Sequence, residues 1–324
     1  MQSFLLNGLK RFATLTSGLG GQKKLFTLIY HRVLDQPDFM RPGEVDKKAF
    51  AWQMQLLADY FNVLPLDEAL GRLQDGTLPS RAVAITFDDG YADNLYNAVP
   101  ILKQHGLNAT FFIASGYLDG GRMWNDTIVE AVRLMPQTAL DLGGIGLGTF
   151  AIATPAQKAA AASAVLKKLK HLEPSRRLAY AQFIGGQVAQ LPNDLMLTSS
   201  QLIELHGHGM EIGGHTVTHP ILAKLDGEAA REEVCGNKKS LEQLLDAPLR
   251  YFAYPNGKLG EDYLLEHRDM VKQSQYLAAF STHAGVAGQC GDLWQLPRFT
   301  PWDQNPVKFM FRMASMYCTK ANQC

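Results

Sequence analysis

Two adjacent carboxylates, Asp88 and Asp89, end the apolar run of "ITFDDGYADN", and two histidines, His215 and His219, stand four residues apart in "HTVTHP". The histidine spacing lets both imidazoles face one point from a helix turn or a tight loop. With one carboxylate they make a two-histidine, one-aspartate set, a ligand group for a catalytic zinc or similar divalent ion that keeps a position open for water. Adjacent residues at a strand end point in different directions, so one carboxylate of the pair can hold the metal while its neighbour reaches the water. The cation offsets the repulsion between the two carboxylates and lowers the pKa of that water toward ~7. Taken singly, "DDG" also reads as a solvated turn and HxxxH as two surface or capping histidines. The pair and the spacing together favour the metal site.

The elements that must position these residues alternate between strand and helix. "LFTLIYH" is a β-rich run ending at His31, and "KKAFAWQMQLLADYF" has helical apolar spacing. "NVLPLDEALGRLQDG" gives a short strand and a helix closed by Gly76. "RAVAITFDDG", the helical "ADNLYNAVPILKQHG" and the strand "NATFFIASG" follow. After an interruption the alternation resumes with "SSQLIELHGHG", "MEIGGH", "LRYFAYP", "YLAAFSTHAG" and "LWQLPRFTP". Such βαβ order predicts a parallel sheet or barrel, and about seven or eight strands suit a (β/α) barrel, with an open doubly wound sheet as the alternative. Polar residues follow strand after strand: His31, Asp88-Asp89, His215, Asn256-Gly257 and His283. In a parallel barrel all those ends converge on one face, so residues distant in sequence meet in one pocket.

Residues 117–200 break the pattern and read as an insertion on the main domain. It holds the helical "GGRMWNDTIVEAVRLM", the Gly-rich, β-like "LDLGGIGLGTFAIA", and a strong helix with Thr154 as cap and Pro155 in its first turn. Trp124 at its start offers a face for stacking on a pyranose ring. The other reading of that spot is a helix start capped by Asn125 or Asp126.

The composition bounds the partners. The 324 residues, 46% hydrophobic and with zero formal net charge, allow a substantial core and carry no basic footprint for nucleic acid. Cys235, Cys290, Cys318 and Cys324 lack metal-ligand spacing and are expected as reduced thiols of a cytoplasmic protein. The N-terminal segment, residues 1–22, lacks the basic start of a signal peptide, and no stretch reaches the ~18 apolar residues of a membrane span. Phe4, Leu5, Leu9 and Phe12 share a helical face, either docked on the body of the protein or lying on a membrane surface. The expected location is cytoplasmic, with peripheral contact at the inner membrane face as the variant of that reading.

"TFDDG", "HTVTHP" and "RYFAYPNG", in that order, resemble the motifs of the polysaccharide deacetylases, the NodB-homology or carbohydrate esterase 4 family. The resemblance runs from "LIYHRV" to "LPRFTP". It implies a distorted (β/α)7-type barrel over residues 23–324, with the insertion at about 117–200, and metal-dependent removal of N-acetyl groups from amino-sugar polymers. Carried over residue by residue, Asp89, His215 and His219 would ligate the metal and Asp88 would be the general base. The metal would be a divalent ion, zinc first and cobalt or nickel as alternatives. A backbone N–H of the turn at Tyr254, Pro255 and Asn256 would help hold the oxyanion.

The chain departs from the usual family pattern twice. Ala253 stands where the family's Arg-Pro-Pro-Tyr-Gly motif has arginine, and no late Leu-x-His motif supplies a general acid. "YHRV" resembles the arrangement of exopolysaccharide deacetylases, making His31 the first candidate for the acid and His283 the second. Arg298 is the candidate to orient Asp88 in place of the missing arginine. The expected substrate is an N-acetylated glycan of a bacterial polysaccharide or its lipid-linked precursor, cleaved at an amide. An O-acetyl esterase and a glycan-binding pseudoenzyme are the rival readings.

Overall fold

The computed structural model describes residues 2–18 and 23–319; Met1, residues 19–22 of the N-terminal segment and Cys324 lie outside them. Six parallel strands lie side by side in chain order: β1 (Leu25–Tyr30), β2 (Ala82–Phe87), β3 (Thr110–Ile113), β4 (Glu211–Gly214), β5 (Tyr251–Ala253) and β6 (Ala278–Phe280). A two-residue strand, Asn62–Val63, pairs with the start of β2. The segment 296–299 joins the two edges of this curled sheet. Leu296 pairs with Phe280 of β6 and Phe299 with Leu28 of β1, both in parallel. The ladder includes Leu296 N–H to Ala279 O (2.9 Å) and Phe299 N–H to Thr27 O (2.9 Å). The result is the distorted barrel that the family resemblance implies, with six main strands in the curled sheet where the alternation suggested seven or eight.

Strand parity divides the core. In β2, Val83, Ile85 and Phe87 face outward into the helix-packed cluster with Tyr30, Phe50 and Phe111. Ala82 and Ala84 face inward with Phe112, Ala253, Phe280 and Leu296. Both faces are buried, which is why the run reads as continuously apolar instead of alternating. The small inward residues of β2 leave room in the barrel, and the two-residue period carries the next inward position past Thr86 to Asp88.

The insertion builds on the Trp124–Leu134 helix, an antiparallel hairpin of Ala139–Asp141 with Thr149–Ala151, and helices Pro155–Leu169 and Pro174–Gly185. Thr154 and Gln157 form a reciprocal capping box, with Pro155 as the first helical residue. These elements share their own apolar cluster, including Ile128, Val132, Leu142, Ile152 and Val165. A buried polar joint anchors the insertion to the barrel: Arg41 Nη2 donates to Asp126 Oδ1 at 2.7 Å, and Tyr91 Oη donates to Asp126 Oδ2 at 3.1 Å. Asp126 is therefore a tie to the barrel and not a cap; the helix start is Met123, with no side-chain cap.

Gln2–Thr16 is helical and docks on the C-terminal helix, Pro306–Met316, burying Leu6 and Ala13. Among the described residues no helix is long and apolar enough to cross a membrane.

Candidate active site

Asp88 is the first residue past β2, and strand parity points it into the barrel mouth. Arg298, inward on the closing segment, meets it with both arms of its fork: Nη1 donates to Oδ1 and Nη2 to Oδ2, each at 2.7 Å. The guanidinium is itself held by Ser281 O and Thr86 Oγ1, each at 3.2 Å, and lies 5.4 Å from the Phe112 ring centroid. Burial, the largest influence, works to raise the Asp88 carboxyl, but the charge and hydrogen bonds of Arg298 together with the charges of His215 and His31 outweigh it, and the pKa lies below the ordinary value. Arginine suits this place because its planar fork matches a carboxylate and it stays charged when buried.

Asp89 turns away from the strand with φ +80°, and Thr216, His219 and Asn256 in the neighbouring loops also have positive φ. These are four of the eight non-glycine residues in that region of backbone space among the described residues. Strained backbone of this kind persists only where surrounding contacts over-determine it. The result of the turn is a cluster. Asp89 Oδ1 lies 3.4 Å from His215 Nε2 and 3.4 Å from His219 Nε2. The three ligand atoms all lie within 4.8 Å of one another.

The side chains that brace the histidine loop include two from one helix, Gly227–Leu245, beside the backbone contacts it makes with the segment after β3. Glu233 Oε2 accepts from the Val217 and Thr218 N–H groups, each at 2.8 Å, and Oε1 accepts from Thr218 Oγ1. One turn further on, buried Asn237 accepts from His215 N–H at 3.1 Å. Its amide donates to Ile113 O and Ser115 Oγ, each at 2.9 Å. A Cβ on Gly214 would come within 2.7 Å of Asn237 Oδ1, so the glycine before His215 makes that approach possible. Neither Glu233 nor Asn237 carries a motif; the only signal was their i,i+4 spacing on a helix.

The donor set fits a divalent cation. Asp89 Oδ1 is buried without a hydrogen-bond partner, a cost of about 1–3 kcal/mol that a cation would remove. His215 Nδ1 is 2.7 Å from Ala253 O. A carbonyl only accepts, so Nδ1 carries the proton and Nε2 faces Asp89 with its lone pair, the usual outer-shell arrangement of a metal-binding histidine. Burial pushes His219 down to about 4, against the charge of Asp89, which leaves a neutral imidazole at neutral pH. Burial opposes ionisation of Asp89, but His219, His215 and His31 hold its carboxyl well below the usual range.

His31 follows β1, half-buried, with its carbonyl accepting from Asn94 Nδ2 at 2.9 Å. Burial disfavours its charged form, but the carboxylates of Asp89, Glu44 and Asp88 outweigh that, and its pKa is raised. His31 thus sits in the field of the aspartate pair. His283, at the same end of the barrel, has an exposed side chain with no contact to that pair.

The polysaccharide deacetylase family model matches residues 75–142 and 155–275, more than half of the chain. The chain belongs to the polysaccharide deacetylase family. The twelve residues between the matched parts fall in the insertion's hairpin region and at its helix cap. A Bacillus subtilis protein, YxkH, assigned by name to the polysaccharide deacetylases, is 23% identical over 277 residues, 85% of this chain and 70% of that one. The Streptococcus pyogenes deacetylase PplD, solved with acetate, is similar in fold with a TM-score of 0.61 at 19% identity. The match covers 90% of this chain and 99% of that one. IcaB from Ammonifex degensii gives 0.58 at 20% identity, covering 91% of this chain and 97% of that one.

In this chain the family match includes the aspartate pair and both histidines, while His31 and Arg298 lie outside it. The turn after β5 is pinned to β6: Thr282 N–H donates to Gly257 O at 3.0 Å. Tyr254 N–H is committed to Phe280 O and Gly257 N–H to Pro255 O, which leaves Asn256 as the turn's available backbone donor. The Tyr254 side chain is fully buried, stacked on Tyr263 at 3.8 Å with its hydroxyl on Trp294 O. It is a packing group. Trp124 is half-buried in the insertion, and Arg177 lies over one face of its ring, 4.9 Å from the centroid.

Proposed function

We propose that this protein is a metal-dependent N-deacetylase acting on amino sugars of a bacterial polysaccharide or its lipid-linked precursor. The observation that carries the reading is the unpartnered Asp89 carboxylate oxygen, flanked at 3.4 Å by two histidine nitrogens, with Asp88 beside it in a fixed orientation. Asp89, His215 and His219 would hold a divalent ion, zinc being the first choice for this ligand set. Such an ion supplies Lewis-acid polarisation of the acetamide carbonyl and acidifies water.

The chain's own groups complete the reaction. Asp88, kept ionised by Arg298, takes the proton of the water that attacks the carbonyl carbon. The Asn256 N–H, which has no partner within the turn, would donate to the oxygen that becomes negative. His31, whose pKa the carboxylates of Asp89, Glu44 and Asp88 raise against burial, would pass a proton to the departing amine as the C–N bond breaks. Acetate and a free amino sugar leave. Arg298 also keeps Asp88 from turning toward the cation site, which separates the two neighbouring carboxylates into different tasks.

The test is acetate release from N-acetylglucosamine oligomers with zinc added and with chelator. Activity should require the metal and vanish in Asp88→Asn, while bound zinc persists in that variant and is lost in His215→Ala. Full activity in Asp88→Asn overturns the base assignment. Release from O-acetylated but not N-acetylated glycans makes the enzyme an esterase. Zinc binding without release from either overturns the catalytic reading.

A further inference from the structure

The helix pair on the barrel wall presents a face that the catalytic site does not use. The Gln2–Thr16 helix seats Leu6, Ala13 and Thr16 against the Pro306–Met316 helix, where Thr16 Oγ1 donates to Ala314 O at 3.3 Å. Its opposite side should be polar if it faced water alone. Instead Phe4 is 82% exposed and Leu15 71%, with Leu5 and Phe12 beside them, and Phe311 of the second helix is 59% exposed. Between the helices lies a groove of about 770 Å³, lined by Phe4, Leu5, Leu9, Phe311 and Met316. Clusters of large apolar side chains of this kind mark interaction sites.

The charges select the occupant. Neither helix contains an aspartate or glutamate, while together they carry Lys10, Arg11, Lys308 and Arg312. Lys10 turns back to Asp59 O, and Arg312 pairs with Asp303. Arg11 and Lys308 are exposed beside the apolar groups, without an acidic partner among the described residues. An apolar stripe flanked by unpaired cations suits the boundary of a bilayer with anionic headgroups. A second copy of the chain suits it poorly, because a two-fold contact would press the same cations against each other.

The topology adds a direction. The C-terminal helix starts after the closing segment has reached the active-site end, and Tyr317 Oη, just past its last turn, donates to Ala82 O at the opposite end of β2. The N-terminal helix runs alongside in parallel, since Thr16 meets Ala314 while Phe4 and Leu5 share the groove with Val307 and Lys308. We infer that this helix pair is a docking surface for anionic lipid bilayers, on which the barrel lies along the membrane. Phe4 and the start of the second helix stand at the end where the active site opens. On the proposed reaction, that orientation brings a lipid-linked glycan to the mouth; the docking itself does not depend on that reading.

The experiment is flotation of the purified protein with phosphatidylcholine vesicles, with and without phosphatidylglycerol. Binding is expected only with the anionic lipid and should fall as salt rises. The double variant Phe4→Ser/Phe311→Ser should weaken it at least about tenfold, since each removes a buried aromatic's transfer free energy. Arg11→Gln/Lys308→Gln should weaken it about tenfold or more, at roughly fivefold per cation near the surface. All four side chains are exposed, so thermal midpoints should match the parent. No flotation, or flotation that none of these variants changes, overturns the inference. Light scattering that shows a dimer, dissociated by Phe4→Ser/Phe311→Ser, assigns the face to a second copy instead.

Discussion

The Asp88–Arg298 pair makes a prediction whose size can be worked from its surroundings. Both side chains are almost fully buried and joined by two 2.7 Å contacts. Arg298→Met leaves a carboxylate in the barrel mouth without its partner, and breaking a buried pair on one side typically costs about 3–5 kcal/mol. The loss has a ceiling, because Asp88 can escape by taking a proton. Neutralising a carboxyl of ordinary pKa costs about 4 kcal/mol at pH 7 and about 1.5 kcal/mol at pH 5, at 1.36 kcal/mol per unit. In the parent, Asp88 has a depressed pKa, so its stabilisation is present above the unfolded value and fades as pH falls through the folded one. The difference between parent and variant must therefore widen as pH rises from about 4 to 7. Urea unfolding in chelator, which removes metal linkage, should show a loss of about 3–4 kcal/mol at pH 7 and less than half that at pH 5. Asp88→Asn in the same background should recover most of the loss, since the orphaned charge is gone. A loss under about 1 kcal/mol at pH 7, or one that does not change with pH, would refute the claim that Arg298 holds Asp88 ionised.

Three further outcomes follow from named contacts. Asn237→Ala and Glu233→Gln, which loosen the histidine loop without touching a ligand atom, should each weaken zinc binding about 10–100-fold in competition with a chromophoric chelator; unchanged affinity would show that the loop holds itself. Glu211, at the start of β4, has its pKa raised by burial to about 7, so the folded state holds its proton more tightly than the unfolded chain. It therefore lowers stability progressively between pH 4.5 and 7, and Glu211→Gln should gain about 1–3 kcal/mol at pH 8 and nothing at pH 4.5, read from thermal unfolding at the two pH values. His31→Gln should cut kcat about 10²-fold or more while leaving zinc content and thermal midpoint unchanged; an unaltered kcat would move the search for the acid elsewhere.

What the sequence by itself determined is the local part. Continuous apolar runs followed by polar residues identified the barrel strands and the end at which the chemistry sits, because strand burial on both faces and strand direction are both written in short windows. The aspartate pair and the two histidines were legible for the same reason, as was the capping box that starts at Thr154. The tertiary structure decided everything that depends on distance across the barrel. Arg298 was a candidate to orient Asp88 only because the family's arginine is missing; the two meet over 210 residues of chain because the closing segment turns the arginine inward. Tyr254, beside the available Asn256 donor, proved to be a packing ring because strand parity and a stacked Tyr263 take its side chain to the core. Glu233 and Asn237 looked like ordinary polar positions of a surface helix. They hold the histidine loop because the fold lays that helix against β4, where backbone donors and an acceptor were waiting for partners. Ligands announce themselves by residue type; the groups that aim them are chosen by packing, which no short window of sequence contains.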